Sequence, residues 1–186
     1  MFKKLDLILP KLDISKIKGD FFEGYGETFL SFTIKDIDYF NEIISTRIKF
    51  NIAPSWVCYT EISGYGAGPH VDHSKTALNY YIDPANGVTI FWKSRTPKDG
   101  NTMLQQQQDG RFLQNEVKVY DPADLMPVTN FVAKADEAFL LDIKQIHSVP
   151  KFANSITRTM IRWLWDDHSF EQVMSSVEIL SNTQQR

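Results

Sequence analysis

The sequence predicts a mainly β fold, a sandwich or barrel of short antiparallel strands with flanking α-helices. Three observations predict it: short runs rich in β-branched and aromatic residues, turn-forming clusters between those runs, and two segments whose apolar residues recur at helical spacing. The first helical segment opens at Thr33-Ile34-Lys35-Asp36, which has the pattern of a capping box, and Ile37, Phe40, Ile44 and Ile48 then share one face. Strands are expected at Trp56 to Ile62, Thr76 to Ile82, Val88 to Trp92, Val117 to Tyr120, Asn130 to Ala133, Ala138 to Ile143 and Thr157 to Trp165. Asp83-Pro84-Ala85-Asn86-Gly87 reads as a hairpin turn, because Asn-Gly accepts positive φ. Lys93 to Glu116 has weak periodicity, is broken at Asp99-Gly100-Asn101 and Asp109-Gly110, and contains the low-complexity run Gln105 to Gln108, expected as an exposed loop. Long loops of this kind often serve as lids or binding elements. Ser169 followed by Gln172 opens the second helix, with Phe170, Val173, Met174, Val177 and Leu180 as its apolar stripe. Both stripes read as packing surfaces, since an apolar helix face usually meets its own sheet.

With 186 residues the chain fits a single domain: residues 1–55 as N-terminal strand and helix support, 56–165 as the barrel core and 166–186 as a C-terminal helix. Hydrophobic residues make up 42% and aromatics 13%, enough for a sizeable core, which excludes wholesale disorder. A formal charge of -3 argues against binding nucleic acid or an anionic membrane by bulk electrostatics. The basic residues Lys93, Arg95 and Lys98 read as a solvated loop. A lone cysteine, Cys58, excludes an intramolecular disulfide and a cysteine-cluster zinc site, and suits a reducing, cytoplasmic setting. The apolar run Leu5 to Leu9 is short and interrupted by Asp6 and Pro10, so neither a signal peptide nor a membrane span is expected there.

The chemistry gathers at Pro69-His70-Val71-Asp72-His73. In an extended segment His70 and Asp72 point to the same side, so an imidazole and a carboxylate can converge on one cation. His147 follows the apolar strand Ala138 to Ile143, and Arg158 then opens a strand on which Arg158, Met160 and Arg162 share one face and Ile161, Trp163 and Trp165 the other. Guanidinium is seldom buried without a partner, so two arginines on one face need a reason. For Arg162 an ion pair to a nearby acid or exposure at the barrel rim is one such reason. Two histidines and one carboxylate on one face of a metal leave positions open for other ligands, as non-haem Fe(II) oxygenases require. This donor set suits Fe(II) or Mn(II), and no thiolate is available to close a structural zinc site. His73 faces away from His70 and His168 stands beside a helix start, so both read as surface or capping residues.

The order of these motifs resembles the Fe(II)/2-oxoglutarate-dependent oxygenases, the double-stranded β-helix superfamily. The resemblance runs from about Trp56 to Trp165 through Gly68-Pro69-His70-Val71-Asp72, Ala77-Leu78-Asn79-Tyr80-Tyr81-Ile82, Gly87-Val88-Thr89-Ile90-Phe91-Trp92, His147-Ser148-Val149 and Arg158-Thr159-Met160. The Leu-Asn-Tyr and His-Ser-Val segments look closest to small prolyl-hydroxylase-like and aspartyl/asparaginyl-hydroxylase-like members, including those of phages. The resemblance implies a double-stranded β-helix, or jelly-roll, with His70, Asp72 and His147 as iron ligands and Arg158 holding the distal carboxylate of 2-oxoglutarate. It further implies hydroxylation of an amino-acid side chain, free or in a peptide, with dioxygen as cosubstrate and succinate and carbon dioxide as co-products. A cosubstrate-binding Tyr or Asn on the early strands is common in the family, and Tyr59, Asn79 and Tyr81 are all candidates. Two features depart from the family pattern: Met160 replaces a small hydroxyl residue, leaving Arg162 as a fallback anchor, and Asn86-Gly87-Val88-Thr89 only partly matches a Gly-Gly-x-Thr segment. The same barrel also serves non-redox metal-binding cupin-type sensors or binding proteins, and purely structural jelly rolls such as virion components.

Overall fold

Six consecutive residues of Thr76–Asp83 and most of Thr157–Trp165 are buried, whichever way their side chains point. Strands with that pattern need cover on both faces, so they lie at the centre of a layered structure. The computed structural model describes residues 1–13, 15, 19–23, 29–34, 42, 44–63, 67–96, 99–106, 112–150 and 157–180. In chain order the strands are β1 (Phe2–Leu5), β2 (Gly19–Glu23), β3 (Phe29–Ile34), β4 (Ile48–Phe50), β5 (Trp56–Ser63), β6 (Ala67–Val71), β7 (Thr76–Asp83) and β8 (Val88–Ser94). They continue as β9 (Asn101–Gln106), β10 (Phe112–Val119), β11 (Leu125–Val132), β12 (Glu137–Asp142), β13 (His147–Val149) and β14 (Thr157–Trp165); helix α1 (Phe170–Ser176) and β15 (Val177–Ile179) follow.

Two large sheets result, with strand orders β1-β12-β7-β14-β5-β3-β2 and β11-β8-β13-β6-β10-β9, and β15 pairs with β4 in a small ribbon. From β5 the chain changes sheet at every step to β8, and it does so again from β11 to β14. That alternation, with antiparallel pairing in each sheet, makes the fold a double-stranded β-helix, or jelly-roll barrel. The β9–β10 hairpin is inserted between the two runs and widens the second sheet beyond β6.

Period-two alternation divides the first sheet's side chains between two cores. Cys58, Ala77, Tyr81, Phe139, Leu141, Met160 and Leu164 face inward and meet Phe91 and Phe131 from the second sheet. Tyr59, Leu78, Tyr80, Leu140, Ile161, Trp163 and Trp165 face outward and are covered by Leu7, Leu9, Ile44, Ile48 and Val173. The outer core resolves the polar tip of Trp165 by donation from its Nε1 to the carbonyl of Ile52 at 3.0 Å.

Several local expectations change. Thr33 and Ile34 end β3 instead of opening a helix, and Ile48 belongs to β4; Glu42 and Ile44 are helical, while Ile37 and Phe40 lie outside the described residues. Helix α1 has the expected capping box between Ser169 and Gln172, but it ends at Ser176, and Val177 continues in β15. Pairing of β15 with β4 takes up the backbone groups of Val177 to Ile179 in a ladder instead of a further helical turn. Met174 is therefore exposed while Val173 is fully buried. The Asp83 to Gly87 segment is a tight turn but not a hairpin, because it joins strands of opposite sheets. Its positive φ values fall on Ala85 (52°) and Asn86 (51°), and the Gly87 amide donates to the Pro84 carbonyl at 2.8 Å. Gln105 and Gln106 lie in β9 where a loop was expected, and Gln107, Gln108, Asp109, Gly110 and Lys98 lie outside the described residues. No helix among the described residues is long and apolar enough to cross a membrane.

Trp165→Ala should cost about 3–5 kcal/mol in urea unfolding, because a fully buried indole leaves a cavity, whereas Met174→Ala should change stability by less than about 0.5 kcal/mol.

Candidate metal centre

Strands β6 and β13 are neighbours in the second sheet, and their register sets His70 directly opposite His147. The two imidazole centroids lie 4.4 Å apart. Asp72 stands one residue beyond the end of β6, where its amide donates to the Ile143 carbonyl at 3.2 Å and so ties the β6–β7 turn to the β12–β13 turn. Lys144 strengthens the same junction by donating to the carbonyls of Asp72 (3.1 Å) and His73 (2.7 Å). Nothing in the sequence pattern signals this use of Lys144, since a surface lysine beside a turn is commonplace.

His70 Nε2 is 3.3 Å from Asp72 Oδ1, and His147 Nε2 is 3.7 Å from Asp72 Oδ2. One ligand atom from each of the three residues falls within 4.8 Å of the others, a spacing that one metal ion can bridge. The far side of each ring explains why Nε2 is the free atom. His70 Nδ1 lies 2.7 Å from the Gly68 carbonyl and His147 Nδ1 lies 2.9 Å from the Gln145 carbonyl. A carbonyl can only accept, so each Nδ1 carries a proton, and whenever a ring is neutral its Nε2 lone pair faces Asp72. With both rings neutral, two imidazole nitrogens and a carboxylate converge, a donor set that can hold a cation.

The electrostatics express the same tension. Burial raises the Asp72 carboxyl, but the hydrogen bond and charge of His70, with the charge of Arg162, outweigh it and hold Asp72 well below the usual carboxylate range. For His70, burial favours the neutral ring and is overcome by the hydrogen bond and charge of Asp72, which raise its pKa. His147 is pushed down to about 4 by burial and by the charge of His70.

The inward face of the first sheet brings two arginines and two candidate partners to this centre. Arg162 lies in register with Asn79 on β7 and Cys58 on β5. Its Nη2 donates to Asp72 Oδ2 at 3.1 Å and its Nε to Asn79 Oδ1 at 3.2 Å. Asn79 Nδ2 then donates to the Tyr81 hydroxyl at 3.3 Å. Arg162 is thus committed to the carboxylate of the triad, the ion-pair alternative that its sequence context left open. Arg158, 1% exposed, donates from Nη2 to Thr89 Oγ1 at 3.0 Å and stacks its guanidinium 4.5 Å from the centre of the Tyr81 ring. Its Nε and Nη1 are buried and have no hydrogen-bond partner among the described residues. Gly87 keeps that corner open: a Cβ there would stand 3.4 Å from Arg158 Nη1 and 3.2 Å from the Pro84 carbonyl oxygen.

Tyr59 is the candidate that the fold does not bring to the group. It faces the outer core with Tyr80 and Ile161, and its hydroxyl donates to Glu61 Oε1 at 2.8 Å. Neighbouring positions on a strand point to opposite faces, and Tyr59 lies one place from the Cys58–Arg162–Asn79 row. Thr89 is the partner that residue-by-residue reading passed over, although its place after Gly87 in the partly matched Gly-Gly-x-Thr segment marked it. His73 is exposed, and the His168 carbonyl accepts from Thr76 Oγ1 at 2.9 Å.

No family model matches the chain. No curated protein matches it either. Among solved structures it is similar to hazelnut (Corylus avellana) vicilin, at 7% identity over 87% of this chain and 33% of that one, with a TM-score of 0.42. It is similar to the Escherichia coli ribosomal oxygenase YcfD at 14% identity over 81% of this chain and 36% of that one, with a TM-score of 0.36. A third is the epimerase SnoN, solved in complex with Fe3+, alpha ketoglutarate and nogalamycin RO: 10% identity, 81% of this chain, 68% of that one and a TM-score of 0.43. The chain thus spans about a third of the length of the vicilin and YcfD chains. At these scores the fold rests on this chain's own strand order, and the site on its own side chains.

Asp72→Ala should destabilise the metal-free protein by about 3–5 kcal/mol in urea unfolding with chelator present, because it leaves the Arg162 guanidinium buried without its anion.

Proposed function

We propose that this chain is an Fe(II)- and 2-oxoglutarate-dependent dioxygenase that hydroxylates an amino-acid side chain, free or within a peptide. In this reading His70, Asp72 and His147 hold the iron, and Arg158 anchors the distal carboxylate of 2-oxoglutarate. The observation that carries it is the pair of buried, unpartnered donors on Arg158. An unpaired donor on a buried guanidinium is costly, and a carboxylate is one of the common anions whose oxygens match guanidinium N–H groups. These donors accompany three converging candidate metal ligands, so the interior suits a ligand that carries a carboxylate and also reaches a metal.

The remaining roles follow from contacts already described. Thr89 and the Tyr81 ring hold the Arg158 fork in place, and the absence of a side chain at Gly87 leaves room beside Nη1 for the incoming carboxylate. Asn79 and Tyr81 flank the path from Arg158 to Asp72 through the Asn79–Tyr81 hydrogen bond. Iron held by His70, Asp72 and His147 would supply dioxygen activation, the net reaction placing one oxygen atom in succinate, released with carbon dioxide from 2-oxoglutarate, and the other in the substrate. The amino-acid class of substrate rests on the resemblance of Leu78-Asn79-Tyr80 and His147-Ser148-Val149 to the hydroxylase-like members. The open donors of Arg158 favour a metal site that also takes an anion over a barrel that holds a metal alone.

Wild-type protein with Fe(II), 2-oxoglutarate and dioxygen should form succinate even without added substrate, and His70→Ala and Asp72→Ala should abolish it. Unchanged turnover in both variants overturns the assignment. In thermal shift with Mn(II), 2-oxoglutarate should add stabilisation that Arg158→Met removes, with binding of 2-oxoglutarate weakened about 100-fold. Stabilisation by the metal alone would favour the non-redox reading.

A further inference from the structure

We propose that Lys144 is a positioning residue for the metal centre: its ammonium group, outside the barrel, holds the backbone of Asp72 so that the carboxylate stays between His70 and His147. The inference rests on the reading of those three residues as metal ligands, and it concerns what keeps the carboxylate among them. Strand pairing places the two histidines, which are register partners on β6 and β13. Asp72 lacks that support. The last residue of β6 is Val71, paired with Lys118, and Asp72 stands beyond this ladder at the start of the bend that leads into β7.

The turn between β12 and β13 makes up the difference. The Ile143 carbonyl accepts the Asp72 amide at 3.2 Å, and Lys144 Nζ donates to the carbonyls of Asp72 (3.1 Å) and His73 (2.7 Å). In the same turn the Gln145 carbonyl holds His147 Nδ1 at 2.9 Å. Three consecutive residues thus carry supports for two ligands that come from different parts of the chain. The carboxylate needs such holding because Arg162 pulls on it: Nη2 is 3.1 Å from Oδ2, closer than either histidine Nε2 is to its carboxylate oxygen. If the bend were free to shift, the carboxylate would follow the guanidinium, its charged partner, away from the imidazoles. An ammonium bridging two successive carbonyls opposes that shift, since bonds from a charged donor are stronger than neutral ones. Lys144 is itself exposed, so water screens its charge and its bonds add little to the stability of the whole fold. A metal centre is more exacting, because its ligands must be held to within about 0.5 Å.

Charge and positioning predict opposite signs here. An ammonium near the site repels a divalent cation, so its removal, judged by charge alone, would tighten metal binding. The test is a titration of metal-free protein with Mn(II), read by the electron paramagnetic resonance of the free ion, alongside urea unfolding in chelator. Lys144→Met should bind Mn(II) about 10-fold more weakly than wild type. Its unfolding midpoint should move no more than that of Lys75→Met, which loses a similar bond, from Lys75 Nζ to the Asp167 carbonyl at 3.0 Å, and should bind Mn(II) as wild type does. Lys144→Arg keeps the charge and the donors and should recover most of the lost affinity. Binding in Lys144→Met equal to or tighter than wild type overturns the proposal. Equal weakening in Lys75→Met overturns it too, as does a loss in Lys144→Arg as large as that in Lys144→Met. Should the methionine variant not fold, Lys144→Gln, neutral and too short to reach both carbonyls, is judged by the same comparison. If wild-type protein binds no Mn(II), the reading of the three residues as a metal site falls, a result distinct from wild-type binding in Lys144→Met.

Discussion

The central strands of the first sheet are buried on both faces, and most of what the molecule can do depends on that constraint. A sheet with one wet face tolerates polar residues by turning them outward. Along their buried stretches β7, β12 and β14 have no outward water to turn to, so those side chains belong to one of two cores, and a slip of one residue would exchange them. Asn79, Arg158 and Arg162 are consequently locked into the inner space between the sheets. Their polar atoms must be satisfied there, by each other, by Asp72 and Thr89, or by whatever enters.

Inside that space the polar groups form one connected chain. It runs from Asp72 through Arg162 and Asn79 to the Tyr81 hydroxyl, and the Tyr81 ring supports Arg158. Networks of this kind resist local rearrangement, because breaking one link leaves both ends unpaired in a poorly solvated setting. The chain stops at Arg158, where two donors have no partner among the described residues. A network satisfied around Asp72 and open at Arg158 is the arrangement on which the proposed function rests.

Much of this was legible in the sequence, for identifiable reasons. The strand β14 reads correctly from Thr157 to Trp165 because it is rich in β-branched and aromatic residues. Placement of His70 with Asp72, and of Arg158 with Arg162, follows from period two alone. The short strands β6 and β13 are harder to see, since Gly68, Pro69 and Ser148 carry little β propensity and only pairing with neighbours extends them. Register between strands distant in sequence is likewise absent from local pattern, which is why Tyr59 could not be separated from Asn79 and Tyr81. The turn at Asp83 to Gly87 shows the same limit: its chemistry is local, but whether it joins partners in one sheet or crosses between two is decided by β12 and β14, far along the chain.

The β9–β10 hairpin has a consequence for how the metal-binding strands move. Without it β6 would be an edge strand, with one row of amides open to water and free to fray. Because β10 pairs with β6, and β13 is already flanked by β6 and β8, both histidines sit on interior strands bonded to neighbours on either side. Opening such strands requires the sheet to part, so their amides belong among the slowest-exchanging in the protein. The insertion thereby confers persistence on the geometry of His70 and His147: the two rings stay in place through the ordinary breathing of the barrel, and a cation would meet a site that does not have to be assembled around it.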